Sequence, residues 1–306
     1  MGNKLEIEYD KRAVDLVSRM TLEEKAAQLS GMGIEKNIFG DKDALVFGTE
    51  ANQRLGIPRL IMGHAITGAR SGRDMTIKAT YFCSPGAVAA SWDTDLYYAV
   101  GEAMAREMRA IGQHLNLGPT INIIRHPLGG RNWECYSEDP YLTARMVVVY
   151  SKAMQENGII CGPKHFAANN QEKNRRDINN VLDERTLREI YLRAFEAAVR
   201  EGGALNVMGA YNRVNGEYMC ENRRLLTDIL RNEWGFEGFV LSDFTCGVRS
   251  TVGAANAGLN IEMHTTNFYG RNLVDAVKKG EVAESTVDRL VVEKLHVMFK
   301  MGVFES

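Results

Sequence analysis

The stretch Gly235-Phe236-Glu237-Gly238-Phe239-Val240-Leu241-Ser242-Asp243-Phe244 decides the fold. Phe239 to Leu241 is a short apolar run with a glycine before it, and it reads as a strand buried on both faces. The run stops at Ser242-Asp243. In a parallel α/β protein the carboxyl ends of buried strands carry the chemistry. A desolvated carboxylate is costly unless it is paired or hydrogen-bonded, so Asp243 invites a functional reading. Asp is also a favoured helix cap, and from this segment alone the two readings are equal.

Working outward, residues 59–62, 115–122, 159–163, 205–211 and 259–263 read as further strands. Residues 95–111, 141–156, 183–201, 225–232 and 248–256 read as helices, and 273–300 as two helical pieces broken at Gly280. Residues 10–30 give two more helices, the second opened by the capping box Thr21 and Glu24. Residues 31–52 read as a glycine-rich loop. Strand and helix alternate, which implies parallel strands joined by helical crossovers. No G-x-G-x-x-G follows the first strand, and no phosphate-binding G-x-x-x-x-G-K-[ST] occurs. Polar residues at strand ends favour a (β/α)8 TIM-type barrel, regular or irregular, over an open sheet.

Composition narrows the function. The 306 residues are 45% apolar and 25% charged, with a net charge of −2. That balance suits a globular enzyme and gives no electrostatic case for nucleic acid or an anionic membrane. No apolar run approaches a membrane span, and the first ten residues have no apolar core of the secretory kind. The five cysteines show no C-x-x-C spacing and read as reduced thiols, which implies a cytoplasmic protein. The six histidines fall in no H-x-H or H-E-x-x-H pattern, so no structural metal is expected.

The strand ends carry His64, Arg131, Lys164, His165, Met208, Tyr211, Asp243 and Glu262. Each alone has a structural account. Arg131 would pair with Glu134 or Glu138, Lys164 would snorkel, His165 would be a satisfied core histidine, Met208 and Tyr211 would pack, and Glu262 would pair with a buried cation. On one barrel face, they would ring a carboxylate with cations and keep it ionised. Such a carboxylate suits a nucleophile, or a stabiliser of a positive centre, in glycoside hydrolysis.

The segments Gly162-Pro163-Lys164-His165-Phe166-Ala167-Ala168-Asn169-Asn170, Gly130-Arg131-Asn132-Trp133-Glu134-Cys135-Tyr136-Ser137-Glu138-Asp139-Pro140, Met208-Gly209-Ala210-Tyr211-Asn212 and Gly238-Phe239-Val240-Leu241-Ser242-Asp243-Phe244 resemble those of glycoside hydrolase family 3, in its β-glucosidase-like branch. The resemblance implies a retaining exo-β-glycosidase with Asp243 as nucleophile and a covalent glycosyl-aspartate intermediate. Arg131, Lys164, His165, Met208 and Tyr211 would line the sugar subsite. His64 falls where the family carries a sugar-binding Asp. An imidazole cannot accept two hydroxyls in a fork as a carboxylate can, so the sugar is expected to differ from glucose or to bind weakly.

The resemblance also implies that residues 1–306 form a single N-terminal barrel domain, with the usual C-terminal α/β domain absent. That domain would carry the acid/base Glu. In the single-domain branch a His after Lys-His-Phe serves instead, and residues 169–177 contain none. The expectation is a hydrolase of β-glycosides or oligosaccharides completed by a companion chain, with a homo-oligomer as another way to cover the barrel top. The alternative is a carbohydrate-binding pseudoenzyme. No metal or organic cofactor is implied.

Overall fold

The apolar runs around Val207 and Val240 become neighbouring parallel strands with no exposed residue, and the fold is built outward from them. The computed structural model describes residues 10–32, 47–70 and 78–305. Its strands are β1 Phe47–Thr49, β2 Leu60–Gly63, β3 Leu115–Asn116, β4 Ile160–Cys161, β5 Lys164–Phe166, β6 Asn179–Asn180, β7 Asn206–Gly209, β8 Arg213–Val214, β9 Glu217–Tyr218 and β10 Phe239–Ser242. One sheet has the order β1-β2-β3-β4, a second β10-β7-β5, and a small third β6-β8-β9. β1 lies antiparallel to β2, whereas β2, β3 and β4 are parallel, as are β5, β7 and β10. Single bridges join Thr120 to Lys164, Leu241 to Ile261, Ser30 to Glu262 and Gly31 to Thr49.

The α/β class is therefore as expected, but the described strands make separate sheets rather than one regular, continuously laddered barrel. Residues 115–122 and 259–263 supply far less ladder than their apolar content implies. Buried asparagines satisfy the backbone where the ladder stops, as buried peptide groups require. Asn260 Oδ1 accepts the Val240 N–H at 2.8 Å, and its Nδ2 donates to the Leu290 carbonyl at 2.9 Å. Asn206 Nδ2 donates to the Phe239 carbonyl at 2.9 Å.

Helices Thr94–Ala110 and Pro140–Glu156 each start on an aspartate cap, Asp93 and Asp139. Thr21 and Glu24 form the expected capping box on Leu22–Gln28. The helix expected over 183–201 is interrupted by a π-helical turn, Leu187–Tyr191, and the helix at Arg224–Glu233 is π-helical throughout. Arg271–Lys278 and Glu284–Lys300 flank the break at Gly280. Most of the loop expected over 31–52, and the first nine residues, lie outside the described residues. Among the described residues no helix is long and apolar enough to cross a membrane.

Candidate active site

Asp243 directly follows β10, and 6% of its surface is exposed. Its backbone N–H donates to the Gly209 carbonyl, which continues the β7–β10 pairing and fixes the carboxylate at the strand end. Oδ1 accepts the Phe244 N–H at 2.8 Å. Oδ2 has no hydrogen-bond partner and lies 3.6 Å from His165 Nε2. Asp243 caps no helix, since the next one, Thr251–Ala257, is capped by Ser250. The helix-capping reading is therefore set aside.

Lys164 and His165 sit side by side in β5, each 2% exposed. Asn122 holds that backbone from both sides. Its Oδ1 accepts the His165 N–H and its Nδ2 donates to the His165 carbonyl, both at 2.9 Å. Lys164 Nζ lies 3.1 Å from His64 Nε2, and among the described residues it has no carboxylate within 4.0 Å. Lys164 is no surface snorkel, as its polar strand-end position alone would allow. Arg131 Nε donates to Glu134, and its guanidinium lies 3.2 Å from His165 Nε2. Glu134, 1% exposed, also accepts from Thr120 Oγ1 at 2.7 Å. Tyr211 Oη donates to the Phe244 carbonyl at 2.7 Å, and the Arg175 guanidinium covers the Tyr211 ring at 4.9 Å. Met208 is core, packed within β7.

The electrostatics differ from the sequence expectation in one respect. The cations do not win at Asp243. Burial pushes its carboxyl above the usual range, and the Phe244 N–H, Lys164 and Arg131 only partly offset that rise. Burial likewise brings Lys164 down to about 8, against the pull of Glu134. His165 is held well below its ordinary value by burial and then by Arg131 and Lys164, so it is neutral. Lys164 and burial bring His64 to about 3. Burial also favours protonated Glu134, but Lys164 and Arg131 outweigh it and keep that carboxylate ionised. The Tyr211 phenol is raised by burial and by Asp243.

His64, Arg131, Lys164, His165 and Tyr211 thus form one cluster with Asp243, and Met208 stands opposite Lys164 on the neighbouring strand. Glu262 stands apart. Instead of pairing with a cation it accepts the N–H groups of Asn267, Phe268 and Tyr269 and the Thr265 hydroxyl, and so shapes the loop after residue 263. Asn122, Thr120 and Arg175 belong to the site but were not singled out from sequence. A polar pair, Thr120 and Asn122, at the carboxyl end of an apolar stretch was the available signal. Among the described residues no group of three or more His, Cys, Asp or Glu side chains is placed to hold a metal.

An under-solvated carboxylate oxygen beside donors on neighbouring strands can, once ionised, attack an electrophilic carbon, while the surrounding donors bind hydroxyls. Comparison with known proteins gives the family of the chain. Residues 44–297 match the Glycosyl hydrolase family 3 N terminal domain. The chain is 41% identical over 299 residues to the thermostable beta-glucosidase B of Acetivibrio thermocellus, covering 94% of this chain and 38% of that protein. It is 41% identical over 295 residues to a beta-glucosidase of Rhizobium radiobacter, covering 95% of this chain and 34% of that protein. Among solved structures, beta-glucosidase 3B from Thermotoga neapolitana in complex with glucose superposes with a TM-score of 0.90 at 35% identity, covering 96% of this chain and 43% of that one. DesR, a beta-glucosidase from Streptomyces venezuelae in complex with D-glucose, superposes with a TM-score of 0.87 at 37% identity, covering 97% of this chain and 38% of that one. The chain spans little more than a third of the length of these curated relatives, 38% and 34%. By the match of its sequence, the chain belongs to glycosyl hydrolase family 3.

Proposed function

We propose that this chain is the nucleophile-bearing domain of a retaining exo-β-glycosidase of the β-glucosidase kind. The carrying observation is Asp243, buried at the end of β10 with Oδ1 fixed by the Phe244 N–H and Oδ2 unbonded. In this reading Oδ2 attacks the anomeric carbon. The bond from that carbon to the aglycone oxygen breaks, and its electron pair stays on that oxygen. Water then cleaves the glycosyl-aspartate ester. Lys164, His165, Arg131, Tyr211 and His64 would bind the sugar, and Met208 would form its floor.

The proton for the leaving oxygen is assigned to none of these residues. Glu134 is held by Arg131 and Thr120, and Glu172 by Arg175 at 2.7 Å. We assign it to a companion domain or chain over the strand ends, as the greater length of the relatives allows. The fold is read as one domain, an irregular (β/α)8 barrel. The bridges at Thr120, Ile261, Ser30 and Gly31 support treating the two larger sheets as its halves. The five free cysteines suit a cytoplasmic setting.

Reaction with 2,4-dinitrophenyl β-glycosides, read by intact-mass spectrometry, tests the proposal without the missing acid, since that leaving group departs unprotonated. One sugar should add to the protein and none to Asp243→Asn. A label that persists in Asp243→Asn overturns the assignment. A carbohydrate-binding role without turnover is the second reading. The raised Asp243 carboxyl favours it, because a protonated carboxyl is a poor nucleophile, and it predicts binding with no label from any glycoside.

A further inference from the structure

The contact between Lys164 and His64 fixes more than a distance. An ammonium has three donors and no acceptor, so His64 Nε2, 3.1 Å away, must present its lone pair. The neutral ring then carries its proton on Nδ1. That N–H has no acceptor among the described residues, and His64 is only partly buried. Lys164, 2% exposed, has His64 as its hydrogen-bond partner and, among the described residues, no carboxylate within 4.0 Å. Among those residues this end of the subsite is therefore made of donors: His64 Nδ1–H and the remaining N–H groups of Lys164. Glu134 is held by Arg131 and Thr120 and Asp243 Oδ1 by the Phe244 N–H, while the unbonded Asp243 Oδ2, beside His165, is the oxygen assigned to the anomeric carbon.

A neutral sugar edge placed there would bring hydroxyl protons with no acceptor at that end, and each one left buried and unpaired is costly. An anionic edge accepts without donating. It also gives the buried ammonium a counter-charge in direct contact, where Glu134 and Asp243 act on it only from beyond 4.0 Å. We propose that the sugar subsite is built for a β-glycoside whose sugar carries an anionic group, a hexuronide being the simplest case, with His64 and Lys164 as the paired donors that recognise it. This rests on the reading of these residues as the sugar subsite and goes further by naming the substrate class.

The test pairs calorimetry on methyl β-glucuronide and methyl β-glucoside with labelling by the matching 2,4-dinitrophenyl glycosides. The glucuronide should bind at least about tenfold tighter than the glucoside, and His64→Asp, which replaces a donor by an acceptor beside Lys164, should invert the order. His64→Gln is the gentler variant and should weaken glucuronide binding alone. Tighter binding of the glucoside by the unaltered protein overturns the proposal, as does a preference untouched in both variants. Labelling by the glucoside alone overturns it while leaving Asp243 as nucleophile. Glucuronide binding without any label supports the proposal and overturns the nucleophile. Neither binding nor labelling overturns both.

Discussion

Lys164 and Lys294 are buried to nearly the same degree, 2% and 0% exposed, and among the described residues neither has a carboxylate within 4.0 Å. They differ in what their donors meet. Lys294, on the helix Glu284–Lys300, donates to the Gln28 carbonyl at 2.9 Å, Gln28 Oε1 at 2.8 Å and Thr49 Oγ1 at 2.9 Å. Each of its protons has an oxygen, and together they tie helix Leu22–Gln28 and β1 to the far end of the chain. Lys164 meets one imidazole. A lysine whose donors are all used holds the fold together. One whose donors are left over is waiting for a ligand, and the same desolvation that makes it costly makes it selective.

The largest effect expected is on the ligand side of that contrast. Asp243→Asn should reduce labelling by about 10³-fold or more, with the thermal midpoint unchanged or higher, because it removes an under-solvated charge. A lowered midpoint with labelling intact would place Asp243 with Lys294 instead. Next come the two lysines themselves. Lys294→Met should destabilise by about 1–3 kcal/mol in urea unfolding, since it strands Gln28 Oε1 and the Gln28 carbonyl. Lys164→Met should be neutral or stabilising, yet abolish sugar binding by calorimetry. Equal stability losses in the two variants would erase the distinction.

Stability against pH sharpens the comparison further. Burial brings folded Lys294 to about 7 and Lys164 to about 8. Both titrate near 10.4 in an unfolded chain, about 10.4 being the free-lysine value. Above those folded values and below the unfolded one, the unfolded chain holds more protons, so stability rises with pH; at lower pH both states are protonated and the penalty is constant. The climb should reach at most about 1.4 kcal/mol per pH unit for each lysine, and urea titrations of Lys294→Met between neutral and alkaline pH should show a flatter slope.

Glu134→Gln acts on Lys164 alone. Of the groups that bear on that ammonium, Glu134 raises it most, Asp243 and Cys135 also raise it, Arg131 lowers it, and His64 is its contact. Without Glu134, Lys164 releases its proton at a lower pH, so the alkaline limb of sugar binding, expected near 8 with Glu134 in place, should move lower. Loss of the Arg131 anchor should add about a tenfold rise in KM. Arg175→Gln removes the cation over the Tyr211 ring together with the partner of Glu172, and should weaken binding by about 0.5–1 kcal/mol in calorimetry.

These two regions were unequally legible in the sequence. The site residues stand just beyond short apolar runs, so strand ends could be read from pattern alone, and β7 and β10 fall where the apolar runs put them. Lys294 gave no such signal, because one lysine in a mostly apolar helix reads as a solvated turn. The apolar residues on both sides of it, Val291, Val292, Leu295 and Val297, all buried, were the overlooked clue. The expected strands at 115–122 and 259–263 were overextended for a related reason. Asparagine side chains replace ladder hydrogen bonds there, and hydrophobic periodicity cannot register a side chain standing in for backbone. The charge state of Asp243 was beyond sequence too, since it turns on how far burial outweighs two cations.

The joint that Lys294 secures has a consequence for how the chain is made. Ser30 bridges Glu262, the Gly31 N–H donates to the Glu262 carbonyl at 2.9 Å, and Lys25 pairs with Glu284 at 2.8 Å and Asp288 at 2.6 Å. These contacts link residues from the first tenth of the chain to residues from its last sixth. On a ribosome, Ser30 and Gly31 emerge long before their partner at Glu262 exists. Their backbone toward that partner stays open until the segment around Glu262 has been made, an invitation to pair with a neighbouring nascent chain. Closing so wide a loop also delays the payoff of local contacts already formed, so folding should finish only after the last helix is released.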